Sequence, residues 1–228
     1  MKNPFRYLNK TEWILLLSSL TTVCVCFLCV PEKDYLTLIA SLIGVTALIF
    51  VAKGLVFGQF LILIFSTFYG IISYIFTYYG EMITYLCMSS PIAIMSIISW
   101  IKHPYKNSAE VEVHKVTKKQ IAWLAALCIV VTTAFFFILR ALGNANLVFS
   151  TISVATSFIA ASLTFLRSPY YALGYVLNDV ILIILWTLAT IETVSYFPMI
   201  ICFVTFLVND LYGFINWKRM QKRQNENA

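Results

Sequence analysis

The chain has 228 residues and a mass of 26.0 kDa; 61% of its residues are hydrophobic, 16% aromatic and only 11% charged, with a formal net charge of +6. Soluble domains carry about 45–50% apolar and about 25% charged residues, so this chain could not cover a water-facing surface; a soluble enzyme, a disordered chain and a secreted disulfide scaffold are excluded. Its 16 Lys and Arg fall between apolar runs instead of on one continuous face, which excludes a nucleic-acid footprint.

A helix needs about 20 apolar residues to cross the hydrocarbon layer. Eight such runs follow one another, at 12–30, 35–52, 55–79, 82–101, 120–140, 146–166, 170–191 and 195–217. They predict an all-α polytopic membrane protein with short loops, a lipid bilayer around it and no soluble domain. Lys2, Arg6 and Lys10 precede the first run, but that run exceeds the roughly 7–15 residues of a signal-peptide core and should stay as a helix. The six cysteines, Cys24, Cys26, Cys29, Cys87, Cys128 and Cys202, read as small apolar fillers, and no metal or cofactor is expected. The connection 102–119 carries His103, Glu110, Glu112 and His114; it reads as a plain cytoplasmic connector that leaves four runs on each side.

If both termini are cytoplasmic, the inner loops hold Lys2, Arg6, Lys10, Lys53, Lys102, Lys106, Lys115, Lys118, Lys119, Arg167, Lys218, Arg219, Lys222 and Arg223. Only Lys33 and Arg140 remain outside, the asymmetry expected because positive loops resist translocation. Glu32, Asp34, Glu81 and Glu192 then face outward, and Trp13, Trp100 and Trp217 read as interfacial belt residues at span ends.

Gly-rich phosphate loops, a Walker lysine, a nucleophile elbow and HExxH pairs are missing, so ATP-driven pumping and catalysis lack their usual motifs. What remains is polarity at membrane depth, where a carboxylate costs about 2.5–3.5 kcal/mol and usually faces a cavity or a partner. The seventh run contains Asn178-Asp179 and the eighth Asn209-Asp210, a repeated pair. Tyr171, Tyr175, Asn178 and Trp186 share one helical face; Thr205, Asn209, Tyr212 and Asn216 share another, beside Gly213. A third stripe comprises Gln59, Ser66, Tyr69 and Ser73. The Asn-Asp pairs predict a lined cavity, whereas Ser66, Ser73 and Thr205 read as interhelical glue and Ser150, Ser153, Ser157, Ala161 and Thr164 as a small-residue packing face. Rings beside amides and carboxylates suit a flat, polar, cationic ligand such as a heteroaromatic nucleoside.

The segment 206–220, FLVNDLYGFINWKRM, preceded by Tyr170-Tyr171 through Asn178-Asp179 to Trp186, resembles the PnuC family of vitamin and nucleoside transporters. Phe68-Tyr69-Gly70-Ile71-Ile72 and Ser99-Trp100-Ile101-Lys102 fit its first half, and the resemblance covers roughly residues 36 to 221. It implies a seven-helix core arranged three, one and three, related to the SWEET transporters, with parallel halves around a midplane site. On this chain that means an extra N-terminal helix (12–30), a first bundle (35–101), a loop (102–119), a linker helix (120–140), a second bundle (146–217) and a tail (218–228). The resemblance further implies a bacterial inner-membrane facilitator for nicotinamide riboside, its cargo trapped by a cytoplasmic kinase; relatives carry thiamine or deoxynucleosides, and members can be trimeric. Asn178 and Asn209 match the family's asparagines, while Tyr171 and Gly174 stand where the family has tryptophans. Asp179, Asp210, Tyr175, Trp186, Gln59 and Tyr69 join the expected site on depth and face alone, and a proton-coupled carrier or an intramembrane enzyme using Asp179 and Asp210 are the rival readings.

Overall fold

Long apolar segments in lipid must satisfy their backbone polar groups internally, which leaves helix as the local solution. The computed structural model describes residues 3–29, 35–75, 79–106, 108–144, 146–192 and 197–227. A short 3-10 turn, Pro4–Tyr7, precedes α1 (Lys10–Cys29), α2 (Tyr35–Ala52), α3 (Val56–Ile75), α4 (Tyr79–Ile83), a π-helical turn (Thr84–Ser89), α5 (Ser90–Lys102), α6 (Lys118–Ala141), α7 (Leu147–Phe165), α8 (Tyr171–Glu192) and α9 (Phe197–Glu226). Among the described residues eight helices are long and apolar enough to cross a membrane, with α4, the π turn and α5 acting as one. The last helix does not stop at 217; it runs on to Glu226. Lys2, Glu32, Lys33 and Asp34, and the side chain of Glu192, lie outside what is described.

Two departures from regular helix have local causes. Pro91 has no N–H to offer the carbonyl four residues before it, and the chain widens just ahead of it, so that Ser90 N–H donates to the Tyr85 carbonyl, five residues back. At the start of α1, Asn9 and Glu12 cap reciprocally: Glu12 N–H donates to Asn9 Oδ1 at 2.9 Å and Asn9 N–H to Glu12 Oε2 at 2.7 Å.

Glu12 is fully buried, and its second oxygen, Oε1, lies 3.2 Å from Lys53 Nζ and accepts from the Tyr212 hydroxyl at 3.0 Å. One carboxylate thus fastens α1 to the α2–α3 turn and to α9. Removing its cation while leaving it buried costs more than removing both partners. Lys53→Met is therefore expected to lower unfolding stability in detergent by about 3 kcal/mol, and the double change with Glu12→Leu to recover part of that loss. A double-mutant cycle on thermal unfolding checks it.

α2 packs on α3, α9 and α1, α7 on α8, α6 and α5, and α8 on α9; α6 lies mainly against α7 and keeps much of its surface exposed. α8 lies tightly on α7, where a Cβ placed on Gly174 would come within 2.9 Å of Ala160 Cα. Gly174→Ala should push the two helices apart and cost about 1–3 kcal/mol, read as a lower thermal midpoint.

The chain ends two helices in the same way. α2 closes with Leu55 N–H on Phe50 O (3.0 Å) and Gly54 N–H on Val51 O (2.9 Å); α7 closes with Ser168 N–H on Leu163 O (2.9 Å) and Arg167 N–H on Thr164 O (2.9 Å). Both turns are left-handed, Gly54 at φ 71° and Arg167 at φ 55°. They sit at the end of the molecule where α1 begins, α9 finishes and most basic residues collect, here called the basic end.

Candidate functional site

A cavity of about 520 Å³ runs between α3, the π turn, α5, α7, α8 and α9, within the range of about 300–1,000 Å³ that accommodates a small organic ligand. Toward the basic end it stops at Val51, Gln59 and Tyr171; toward the other end it reaches Gly80, Glu81, Gly143 and Asn144.

Eight of the eleven expected residues line it. From α8 come Tyr171, Tyr175, Asn178, Asp179 and Trp186, from α3 Gln59 and Tyr69, and from α9 Asp210. Asn178 is aimed by α7: the hydroxyls of Ser153, Thr156 and Ser157 donate to its Oδ1 at 3.1, 2.9 and 2.9 Å. With that oxygen saturated, its amide hydrogens are the remaining hydrogen-bonding capacity. Asp179 and Asp210 face each other across the α8–α9 contact, an arrangement in which two carboxyl groups can share one proton. Among the described residues Asp179 Oδ2 and Gln59 Nε2 find no protein partner though buried, and both residues face the cavity. Buried polar atoms are normally paired, so these two mark where a bound molecule would make its hydrogen bonds.

The other three expected residues are elsewhere. Asn209 Nδ2 donates to Ser19 Oγ of α1 at 2.9 Å and to Thr205 O at 2.8 Å, Tyr212 binds Glu12, and Asn216 Nδ2 donates to Ala52 O at 2.8 Å. None lines the cavity. Their face of α9 is turned to α1 and α2 while Asp210, one residue round, points inward; the polar stripe was real but served packing.

Glu81, expected on the outer side, lines the cavity at the end away from the basic residues, beside Tyr69. Two other readings change. The serine-rich face of α7 is not a dry seam, because Ser150, Ser153, Ser157, Ala161 and Thr164 all line the cavity; Ser66 joins them from α3. Trp100 and Trp217 are no belt residues, being 1% and 0% exposed, whereas Trp13 is 38% exposed. The connection 102–119 is tied down by hydrogen bonds to Gly54, Arg167 and Gln224.

Sequence reasoning also missed Tyr85, Thr84 and Ser89 of the π turn. The Tyr69 and Tyr85 rings lie 4.5 Å apart beside Glu81. Pro91 was the available signal, since a proline one turn into a helix marks a place where register changes. Among the described residues of the lining, three carboxyl groups and the Tyr and Trp rings face one space with no Lys, Arg or His. Such a surface attracts positive charge and disfavours a phosphate.

Comparison with known proteins bears on the same architecture. Residues 34–219 match the family described as nicotinamide mononucleotide transporter. The chain is 30% identical over 220 residues to the nicotinamide riboside transporter PnuC of Neisseria mucosa, covering 94% of this chain and 82% of that protein. It is 23% identical over 194 residues to the PnuC of Haemophilus influenzae, covering 84% and 83%. It superposes on the crystal structure of a vitamin B3 transporter PnuC with a TM-score of 0.81 at 28% identity, covering 95% of this chain and 94% of the other. With a family match across most of its length, a helical membrane fold shared with a solved relative and an internal cavity, this chain belongs to the PnuC family of membrane transporters.

Proposed function

We propose that the protein takes up nicotinamide riboside by facilitated diffusion, the cargo being trapped inside by phosphorylation. One observation carries this reading: among the described residues the cavity lining combines three carboxyl groups with aromatic rings and includes no basic side chain. The riboside is a fixed pyridinium cation with an amide and a ribose. Its cationic ring rests on Tyr171, Tyr175 or Trp186, its polar groups meet Asn178 and Gln59, and Asp179 and Asp210 balance its charge. The mononucleotide carries a phosphate into the same acidic space and is rejected. The relatives named for nicotinamide riboside support the cargo assignment.

The basic end lies in the cytoplasm of a bacterial cell, with both termini inside, because translocation disfavours loops rich in Lys and Arg. Residues 35–101 and 146–217 form parallel halves that rock around the site, joined by the linker helix 120–140. A homotrimer and a cytoplasmic riboside kinase are the partners this reading implies.

The Asp179–Asp210 contact favours a second reading, a carrier that exchanges its shared proton for the cation. Uptake of labelled riboside into proteoliposomes separates the two. Facilitation predicts saturable uptake that survives collapse of the pH gradient and is blocked by excess unlabelled riboside. Loss of uptake on collapse would favour exchange, and competition by deoxynucleosides or thiamine but not by the riboside would move the cargo to those relatives' substrates.

A further inference from the structure

The two left-handed turns that end α2 and α7 have a second feature in common, contributed by Trp100 near the end of α5 and Trp217 within α9. Trp100 Nε1–H donates to Thr164 O at 3.0 Å, and the preceding Ser99 hydroxyl donates to Phe165 O at 3.0 Å. Trp217 Nε1–H donates to Val51 O at 2.9 Å, and the preceding Asn216 amide donates to Ala52 O at 2.8 Å. The correspondence is residue for residue: each indole reaches the penultimate carbonyl of a helix in the opposite half, and each flanking polar residue reaches the last one. These carbonyls belong to the group a helix end leaves without an intrahelical partner.

The two indoles also touch each other, with ring centroids 5.4 Å apart, and Tyr171 packs on Trp217 at 5.0 Å. Tyr171 and Val51 belong to the same buried cluster and form the cavity's floor. A strap crosses beneath. Val111 N–H donates to Gly54 O at 2.9 Å and His114 N–H to Arg167 O at 3.0 Å, so the strap bonds the left-handed residue of each turn. Gln224 of α9 holds it, accepting from Val113 N–H at 2.8 Å and donating to Val111 O at 3.1 Å.

We propose that Trp100 and Trp217 are paired gating residues: each indole clasps the other half's leading helix, and the cavity opens to the cytoplasm only when both clasps and the strap beneath them release. This rests on the orientation and transport reading above. A gate made of two equivalent hydrogen bonds responds equally to the loss of either, a symmetry that simple packing would not impose.

The test is Trp100→Phe and Trp217→Phe, which keep a ring and delete the donor. Val51 O and Thr164 O each retain a bond from Gly54 and Arg167 N–H, so no acceptor is orphaned. Ser96, one turn above Trp100 and facing the cavity, is changed to Cys as reporter. Labelling by a membrane-impermeant maleimide is read on the peptide carrying residue 96, in inside-out and right-side-out vesicles. Both variants should raise labelling from the cytoplasmic side by a similar factor, roughly threefold for a bond worth about 0.6 kcal/mol, with no rise from the other side. Gln224→Ala, which frees the strap, should act in the same direction. Unchanged labelling, a change in only one tryptophan variant, or an equal rise from both sides would overturn the gate. Should either Phe variant not reach the membrane, Ser99→Ala and Asn216→Ala put the same question to the flanking donors. Saturable uptake by the parent protein tests the transport reading separately, so failure of the gate and failure of that reading are distinguishable.

Discussion

Asn178→Leu is expected to abolish uptake of nicotinamide riboside while leaving the protein inserted and folded. The residue is 6% exposed, its oxygen takes three hydroxyl donors from α7, and its amide hydrogens remain available to the cavity. Leucine fills the same volume, removes the donors and leaves three hydroxyls to find other acceptors. Thr156 is already served, since its hydroxyl also reaches the carbonyls of Ile152 and Ser153 within its own helix. The stability cost should therefore stay near 1–2 kcal/mol, while binding loses its amide contact and the shape of its wall. Binding by calorimetry and uptake in proteoliposomes, alongside membrane yield, check the split. Normal uptake by this variant would show that α8 does not present the site.

The second large effect concerns the carboxyl pair. Asp179→Asn combined with Asp210→Asn keeps two side chains able to hydrogen-bond across α8 and α9 but removes their capacity to carry negative charge. A hydrogen bond to a charged group is worth about 1.5–3 kcal/mol, so binding of the cationic riboside should weaken roughly 10- to 100-fold. Binding of a neutral nucleoside should change little, because its hydrogen bonds can be met by the amides. An equal loss for cationic and neutral ligands would mean that the pair holds the helices together and does not read charge.

How much of this the sequence discloses depends on the range of the interaction concerned. Span number follows from run length, which is local: all eight runs reappear as helices; the boundary shifts at Lys10 and at the π turn fall where a cap and a proline act, and α9 runs past its apolar residues to Glu226. The cavity-lining face of α8 was legible because Tyr171, Tyr175 and Asn178 recur at helical spacing and all reach one cavity. The corresponding argument failed on α9, since a polar stripe shows that a face has a partner without saying which. Asn209 is satisfied by Ser19, 190 positions away in sequence. Small residues are ambiguous in the same way: Ser153 and Ser157 let α8 approach and also line the cavity beside Asn178. Glu81 was legible as a residue at the end of its span away from the basic loops, but its place in the cavity wall beside Tyr69 was not. The Asn9–Glu12 cap could have been found from spacing alone; its bond to Lys53 could not.

If the cavity recognises positive charge, nicotinamide riboside offers a direct control. Its reduced form has nearly the same shape but a neutral dihydropyridine ring. Calorimetric titration of the purified protein with each should show the oxidised, cationic form binding at least about tenfold tighter, one charge-assisted contact's worth. Equal affinity for the two forms, or preference for the neutral one, would show that the cavity does not read charge.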